Sequence, residues 1–174
     1  MYDFRTHRTS NELTLHATYT YIWSRNPESA RNLFWEISTE DAHELLQWID
    51  SLDQDQHLDA LRACLLVFSV SDGRVVPRKF QLEAGLAAYQ GKNTIVNAGT
   101  GSGKTLSTVI PLLMNPKAVG IIISPLKRLQ STQAMELERF LIKPLVINQD
   151  VELSPNEIKV FCAISCLCYL SRVY

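Results

Sequence analysis

The chain has little net charge, few cysteines and no long apolar run, and each shortage excludes a class of protein. Its 174 residues carry 17 Lys and Arg against 18 Asp and Glu, a net charge of −1. Binding of nucleic acid through a broad basic surface is therefore excluded, and any such contact must be local. The first residues lack the apolar segment of a secretory signal, and no apolar run approaches the roughly 20 residues that span a bilayer.

The four cysteines form neither a disulfide framework nor a standard metal pattern. Cys162, Cys166 and Cys168 stand in one apolar run, and Cys64 lies far upstream. Disulfides are not expected without a secretory signal. The histidine nearest to Cys162, Cys166 and Cys168 is His57, about a hundred positions upstream, and this is no standard zinc spacing. We therefore interpret these three cysteines as small apolar residues.

The N-terminal part of the sequence is dominated by helical spacing. Three apolar-periodic segments between residues 26 and 70 predict three helices. The third of them contains an all-apolar run, residues 63–68, which predicts a buried segment. Residues 14–23 are rich in β-branched and aromatic side chains, so they fit either a strand or a loosely packed arm. Residues 71–74, Ser-Asp-Gly-Arg, break the pattern and mark a boundary.

Beyond that boundary, strand-like and helical segments alternate. Short β-branched or fully apolar runs, typical of strands buried on both faces, are separated by helical patterns. The predicted strands are residues 93–97, 118–123 and 144–148, and the predicted helices are residues 81–89 and the two segments that end near Met114 and Phe140. This alternation indicates an α/β protein with a parallel sheet. Ligands on such sheets collect at the carboxyl ends of the strands.

Residues 98–105, which we name the phosphate loop, read Ala-Gly-Thr-Gly-Ser-Gly-Lys-Thr between a predicted strand and a predicted helix. Glycines let the backbone curl with positive φ, and the helix N-terminus directs partial positive charge at an anion. Lys104 can reach the outer phosphates of a nucleotide, and the Thr105 hydroxyl can ligate Mg²⁺. The general pattern has Gly where this chain has Ala98, so a simple glycine-rich turn is the alternative. The predicted nucleotide-binding residues of the loop are Thr100, Gly101, Ser102, Gly103, Lys104 and Thr105.

Two further motifs flank the phosphate loop. Upstream, Arg78 and Gln81 stand at the start of a predicted helix. The Gln81 carboxamide offers a donor and an acceptor that match one edge of adenine, although a helix-capping role is the alternative. Downstream, residues 124–127, Ser-Pro-Leu-Lys, follow the second predicted strand. The carboxyl ends of both predicted strands therefore carry polar, backbone-turning segments.

Together these motifs resemble the first RecA-like domain of superfamily-two helicases. Residues 98–105 have the A-x-T-G-x-G-K-T form of motif I, which accounts for Ala98. Residues 77–81, Pro-Arg-Lys-Phe-Gln, look like the Q motif of RecQ-type helicases. Residues 124–133 are similar to the RecQ form of motif Ia, S-P-L-x-x-L-x-x-x-Q. The resemblance covers about residues 75–150.

The resemblance implies an ATP site and a nucleic-acid site. It implies that Arg78 and Gln81 read adenine, and that Mg²⁺ is ligated by Thr105. It also implies a contact with the backbone of a single-stranded nucleic acid, with DNA favoured over RNA. The residues that would make this contact are Ser124, Pro125, Leu126 and Lys127. An intracellular and nuclear protein without a membrane association is the corresponding expectation.

The sequence also departs from the family. Such helicases hydrolyse ATP with an Asp-Glu pair in motif II, and no D-E-x-[DH] string follows Thr105. These 174 residues also contain no motif of the second RecA-like domain. We expect a truncated fragment that binds ATP and nucleic acid, with hydrolysis and unwinding lost or dependent on missing parts, and we predict no catalytic residue. The alternative is a non-catalytic remnant or protein-interaction module with a vestigial phosphate loop. An unrelated P-loop kinase or ATPase would not explain Gln81 or residues 124–127.

The expected architecture has three parts. Residues 1–73 form a mainly helical region, and residues 74–157 form a partial RecA-like helicase ATP-binding domain of the P-loop NTPase class, with a parallel sheet. Residues 158–174 form an apolar tail that is either unrelated to the family or a strand or helix covering the sheet edge.

Overall fold

A long central helix organises the fold. A computed structural model of the protein describes residues 10–37, 42–148, 150, 152 and 154–157. Its helices are α1 (Ser10–Trp23), α2 (Pro27–Ile37), α3 (Ala42–Asp50), α4 (Gln54–Val70), α5 (Lys79–Tyr89), α6 (Thr105–Met114) and α7 (Lys127–Glu138). Helix α4 contacts α1, α2, α3, α5 and α6. The three helices predicted between residues 26 and 70 are confirmed as α2, α3 and α4.

The sequence of α4 explains its central position. The Asp53 carboxylate accepts a hydrogen bond from the Gln56 backbone N–H at 2.9 Å, which satisfies one of the free amides of the first turn. Residues 63–67 are all buried, so the all-apolar run lies in the core as predicted. A helical segment that is apolar on every side can be buried on every side, so this run of α4 provides a surface on which the other helices pack.

Helix α4 also joins the two parts of the chain that the sequence analysis separates. The predicted boundary, residues 71–74, is a tight turn with Asp72 and Gly73 at positive φ. Across that turn, α4 packs on α5 and α6, and buried residues of all three helices belong to one hydrophobic core. The division into residues 1–73 and 74–157 stays a prediction.

Helices α5 and α6 approach each other closely at one glycine. A Cβ added to Gly85 would lie 2.7 Å from the Ile110 Cβ, closer than two carbon atoms can pack. Gly85 therefore sets the spacing between the helix that precedes the phosphate loop and the helix that follows it.

Residues 14–23 form part of a helix, so the strand alternative was wrong. Helix α1 is also tied to the core, contrary to a loosely packed arm. The Tyr19 and Trp23 rings stack with centroids 3.9 Å apart, and the Arg62 guanidinium lies over the Trp23 ring. The Arg62 Nη2 donates to the Trp23 carbonyl oxygen at 3.2 Å. β-branched and aromatic residues thus pack in a helix here because α4 offers a matching surface.

The predicted parallel sheet is wrong. In the described ranges the structure contains α-helices and no β-strand. The three predicted strands are irregular segments, and residues 118–123 are exposed throughout. Ile95 and Ile123 are 97% and 92% exposed. The expectation of an α/β, partial RecA-like domain with a parallel sheet is therefore corrected to a helical architecture.

The error has a physical cause. An apolar, β-branched run indicates what a segment could bury, but a strand forms only where a second strand accepts and donates its backbone hydrogen bonds. Within the described ranges the three runs form no such ladder. The expectations for residues 158–174, including Cys162, Cys166 and Cys168, lie outside the described residues.

Candidate nucleotide-binding site

The phosphate loop connects the irregular segment after α5 to the first residue of α6. Gly101 and Gly103 both have φ of +77°, in the left-handed region that glycine adopts without strain. Thr105 begins α6, so the loop delivers the chain directly to a helix N-terminus. Among the predicted loop residues, Thr100, Gly101, Gly103 and Lys104 are exposed, and Ser102 and Thr105 are half-buried. The loop is therefore accessible to a ligand from solvent.

The Lys104 side chain closes the loop on itself. Its Nζ donates to the Ala98 carbonyl oxygen at 2.7 Å and to the Gly99 carbonyl oxygen at 2.8 Å. The Ser102 hydroxyl donates to the same Gly99 oxygen at 2.7 Å. The ammonium group thus lies against the curled backbone of residues 98–105, with two carbonyl oxygens as its present acceptors.

Gln81 joins the start of α5 to the phosphate loop. Its Oε1 accepts from the Arg78 backbone N–H at 2.8 Å. Its Nε2 donates to the Ser102 and Gly103 carbonyl oxygens at 3.0 and 2.9 Å. The side chain is only 5% exposed, and a Cβ added to Gly103 would lie 2.7 Å from the Gln81 Nε2. Both ends of the carboxamide are therefore engaged within the protein.

The Arg78 hydrogen bond is the capping interaction that the sequence offered as the alternative role of Gln81. Arg78 itself is exposed at the N-cap position of α5. The assignment of both residues to adenine stays a prediction. The contact between Gln81 and the loop carbonyls was missed, because the sequence places them 21 and 22 positions apart with no periodic pattern to relate them.

The donor set around Thr105 suits a metal ion that arrives with its nucleotide. In the ranges that the structure describes, no group of three or more His, Cys, Asp or Glu could hold a metal ion. Mg²⁺ commonly takes one or two protein oxygens and completes its shell with phosphate oxygens and water. One hydroxyl, on Thr105, at the first position of α6 fits that kind of site.

The second predicted motif lies at the start of α7. Pro125, Leu126 and Lys127 are exposed, and Ser124 is half-buried. The Ser124 carbonyl oxygen accepts from the Gln130 Nε2 at 2.9 Å, whereas its hydroxyl is buried and has no hydrogen-bond partner. α7 has no side-chain cap. The segment thus presents exposed side chains and uncapped backbone N–H groups.

Lys127 has a partner that the sequence analysis missed. Its Nζ lies 2.7 Å from the Asp150 Oδ2. The two residues are 23 positions apart, and Asp150 follows a segment that was predicted to be a strand. No motif or periodicity relates them, so only the folded chain could reveal the pair.

Other candidate groups have structural roles. Cys64 is fully buried, and its burial raises the pKa of the thiol well above its usual range, which makes it unreactive. His57 contacts Asp50, which also pairs with Arg31.

Among the described residues, no helix is both long and apolar enough to cross a membrane.

A comparison with protein families supports a helicase superfamily, without distinguishing a RecQ-like subtype. The family model for the DEAD/DEAH box helicase matches residues 78–160. That segment begins at Arg78 and includes the phosphate loop and residues 124–127, so it supports a helicase superfamily and, at the family level, binding of ATP and nucleic acid. Neither a curated protein nor a solved structure matches the chain significantly.

Proposed function

We propose that these 174 residues bind ATP with Mg²⁺ at the phosphate loop and a single-stranded nucleic acid at residues 124–127, as a fragment of a RecQ-like helicase. The observation that carries the proposal is the loop geometry. Two left-handed glycines precede α6, and Lys104 is curled over the loop. The family match to residues 78–160 supports binding of ATP and nucleic acid at the level of the helicase superfamily.

Nucleotide binding requires Lys104 to change partners. Its ammonium now donates to two neutral carbonyl oxygens of Ala98 and Gly99. A phosphate oxygen carries negative charge and a carbonyl oxygen does not, so Coulomb attraction adds to the hydrogen bond and makes the phosphate the better acceptor. The partial positive charge at the N-terminus of α6 adds to the attraction. Thr105 would hold the Mg²⁺ that accompanies the β- and γ-phosphates.

We assign the adenine contact to Arg78 and Gln81, as the Q-motif resemblance implies. Gln81 can serve that role only by exchanging at least one of its present hydrogen bonds. Because two of those bonds hold the phosphate loop, adenine binding and loop conformation would be coupled through a single side chain. Arg78 is exposed beside it and is free to move toward a base.

We assign the nucleic-acid contact to Ser124, Pro125, Leu126 and Lys127. The Lys127 ammonium is exposed and can donate to a phosphate oxygen, whereas the Ser124 hydroxyl is buried and lacks a partner, so it can donate only after residues 124–127 rearrange. Leu126 is 63% exposed and offers an apolar surface to a sugar or base. From the RecQ-like resemblance we also propose a preference for DNA over RNA and a nuclear location. Competition between single-stranded DNA and RNA oligonucleotides of the same sequence tests the preference.

Hydrolysis is not part of the proposal for these residues. Phosphoryl transfer depends on positioning the metal ion and the attacking water as well as the phosphates. No adjacent Asp-Glu pair of the D-E-x-[DH] form follows Thr105 in the sequence. We therefore propose nucleotide binding without appreciable turnover.

A titration with a fluorescent ATP analogue and Mg²⁺ tests the nucleotide site. We expect saturable binding that Lys104→Ala weakens by at least about ten-fold, because it removes the charged donor to phosphate. Lys117→Ala is the matched control, since Lys117 follows the opposite end of α6 and should not change the affinity. Equal affinity of the Lys104→Ala variant and the unchanged protein would contradict the proposal.

A protein-interaction module with a vestigial phosphate loop is the second candidate. The observation that favours it is the exposed apolar segment at residues 118–123. Large exposed apolar patches mark interaction sites. A folded protein that binds neither nucleotide nor nucleic acid would support this candidate over the first.

A further inference from the structure

The Lys127 ammonium already forms an ion pair within the protein. The Asp150 carboxylate lies 2.7 Å from it, although both side chains are substantially exposed, at 50% and 68%. Lys127 is the first residue of α7 and the charged member of the proposed nucleic-acid site. The present partner of Lys127 therefore has the same chemistry, a negatively charged oxygen, as the phosphate that it is proposed to bind.

A chain of hydrogen bonds holds Asp150 in that position. The Gln130 side chain donates to the Ser124 carbonyl oxygen at 2.9 Å and accepts from the Asn148 Nδ2 at 3.1 Å. The Asn148 Oδ1 in turn accepts from the Asp150 backbone N–H at 2.9 Å. Side-chain carboxamides thus connect residues 124–127 and α7 to the segment that carries Asp150. The Lys127–Asp150 ion pair is a second connection between the same two parts of the chain.

We propose that Asp150 is an affinity-determining residue of the nucleic-acid site, where its carboxylate competes with the strand's phosphate for Lys127. The inference rests on the proposed nucleic-acid contact of residues 124–127. A phosphate that approaches Lys127 must displace the carboxylate, which remains nearby and repels it. The single-stranded nucleic acid therefore binds more weakly than it would to Lys127 without Asp150, and its affinity depends less on the salt concentration.

The exposure of the Lys127–Asp150 pair limits how much Asp150 can weaken nucleic-acid binding. Exposed ion pairs contribute little stability, and they are screened by salt. Asp150 should therefore moderate binding and not block it. Replacing Asp150 with Asn keeps the side-chain shape and removes the charge, so it should tighten binding by roughly two- to five-fold at low salt.

Binding of a short fluorescently labelled single-stranded oligonucleotide measures the competition. We expect Asp150→Asn to tighten binding relative to the unchanged protein. Glu152→Gln is the matched control, because it removes the same charge two positions away and leaves the Lys127–Asp150 contact intact. A change of equal size in both variants would show a general charge effect and overturn the inference.

Two further readouts separate competition from a merely structural role. The affinity should fall more steeply with salt in Asp150→Asn, by about 0.7 in the slope of log K against log salt, since one more phosphate is neutralised. In a Lys127→Ala background, Asp150→Asn should no longer tighten binding. An undiminished effect of Asp150→Asn in that background would mean that Asp150 does not act through Lys127.

The failures of the inference and of the proposed function are distinguishable. If Lys127→Ala weakens oligonucleotide binding but Asp150→Asn leaves it unchanged, the strand site stands and the competition is refuted. If neither the unchanged protein nor Asp150→Asn binds the oligonucleotide, the proposed nucleic-acid site fails and the inference fails with it. Circular dichroism of each variant confirms that it is folded.

Discussion

The helical core and the irregular apolar segments have similar side chains but different surroundings. Helix α4 buries Leu61, Leu65 and Leu66 completely or nearly so. Residues 118–123 are equally apolar, yet they are exposed. A helix satisfies its own backbone hydrogen bonds and needs only an apolar surface to pack on. A strand needs a second strand as well, so apolar composition alone does not bury it.

Matched substitutions in the two regions should give the largest expected difference, which is a difference in the free energy of unfolding. Leu66→Ala should lower the free energy of unfolding by about 2–5 kcal/mol, because it leaves a cavity where α4 meets its neighbours. Ile123→Ala should change the same quantity by less than about 0.5 kcal/mol, since its side chain is already in solvent. Urea denaturation of both variants measures the contrast. A loss above 2 kcal/mol for Ile123→Ala would mean that residues 118–123 are buried in solution.

Gln81 links the core to the phosphate loop, and its substitution should have an intermediate effect. Gln81→Ala removes the donors to the Ser102 and Gly103 carbonyl oxygens, so we expect nucleotide affinity to fall by roughly three- to ten-fold. Measuring the affinities for ATP, GTP and tripolyphosphate separately distinguishes two causes of that loss. An equal loss for all three indicates that Gln81 acts through the loop, whereas a loss confined to ATP indicates that it reads adenine.

Gln90→Ala, at the other end of α5, is the control for that experiment. It removes the same kind of carboxamide at the C-cap of α5 and should leave all three affinities unchanged. Unchanged affinities in Gln81→Ala would show that neither its loop contacts nor its predicted adenine contact affects binding.

The smallest expected effect concerns Asp50, which joins three helices of the core. The Arg31 guanidinium, and then His57, donate to its carboxylate and hold its pKa below the usual range. A carboxyl group whose pKa is lower in the folded state stabilises the protein above its unfolded pKa, and this contribution is lost as the pH falls through the folded pKa.

Thermal unfolding at several pH values measures that contribution. Asp50→Asn should lower the unfolding temperature slightly at pH 7, and the difference from the unchanged protein should shrink as the pH falls below about 4. The effect should stay within about 1 kcal/mol because the ion pair is partly exposed. A difference that does not depend on pH would show that the charge of Asp50 is not the cause.

The sequence predicts the helices and the motifs, but not the connections between them. Helices α2, α3 and α4 follow from local periodicity, and the phosphate loop follows from glycine spacing and Lys104. The missing sheet could not be foreseen, because strand pairing depends on segments that are distant in sequence. The same limit hid the contact of Gln81 with the loop and the pairing of Lys127 with Asp150.

The central claim is that Lys104 holds a nucleotide's phosphates at the phosphate loop. Isothermal titration of ATP and Mg²⁺ into the unchanged protein and into Lys104→Ala, with folding checked by circular dichroism, tests it most directly. We predict one binding event in the unchanged protein that is at least about ten-fold weaker in the variant. No heat of binding in the folded, unchanged protein, or equal affinities in the two proteins, would contradict the claim.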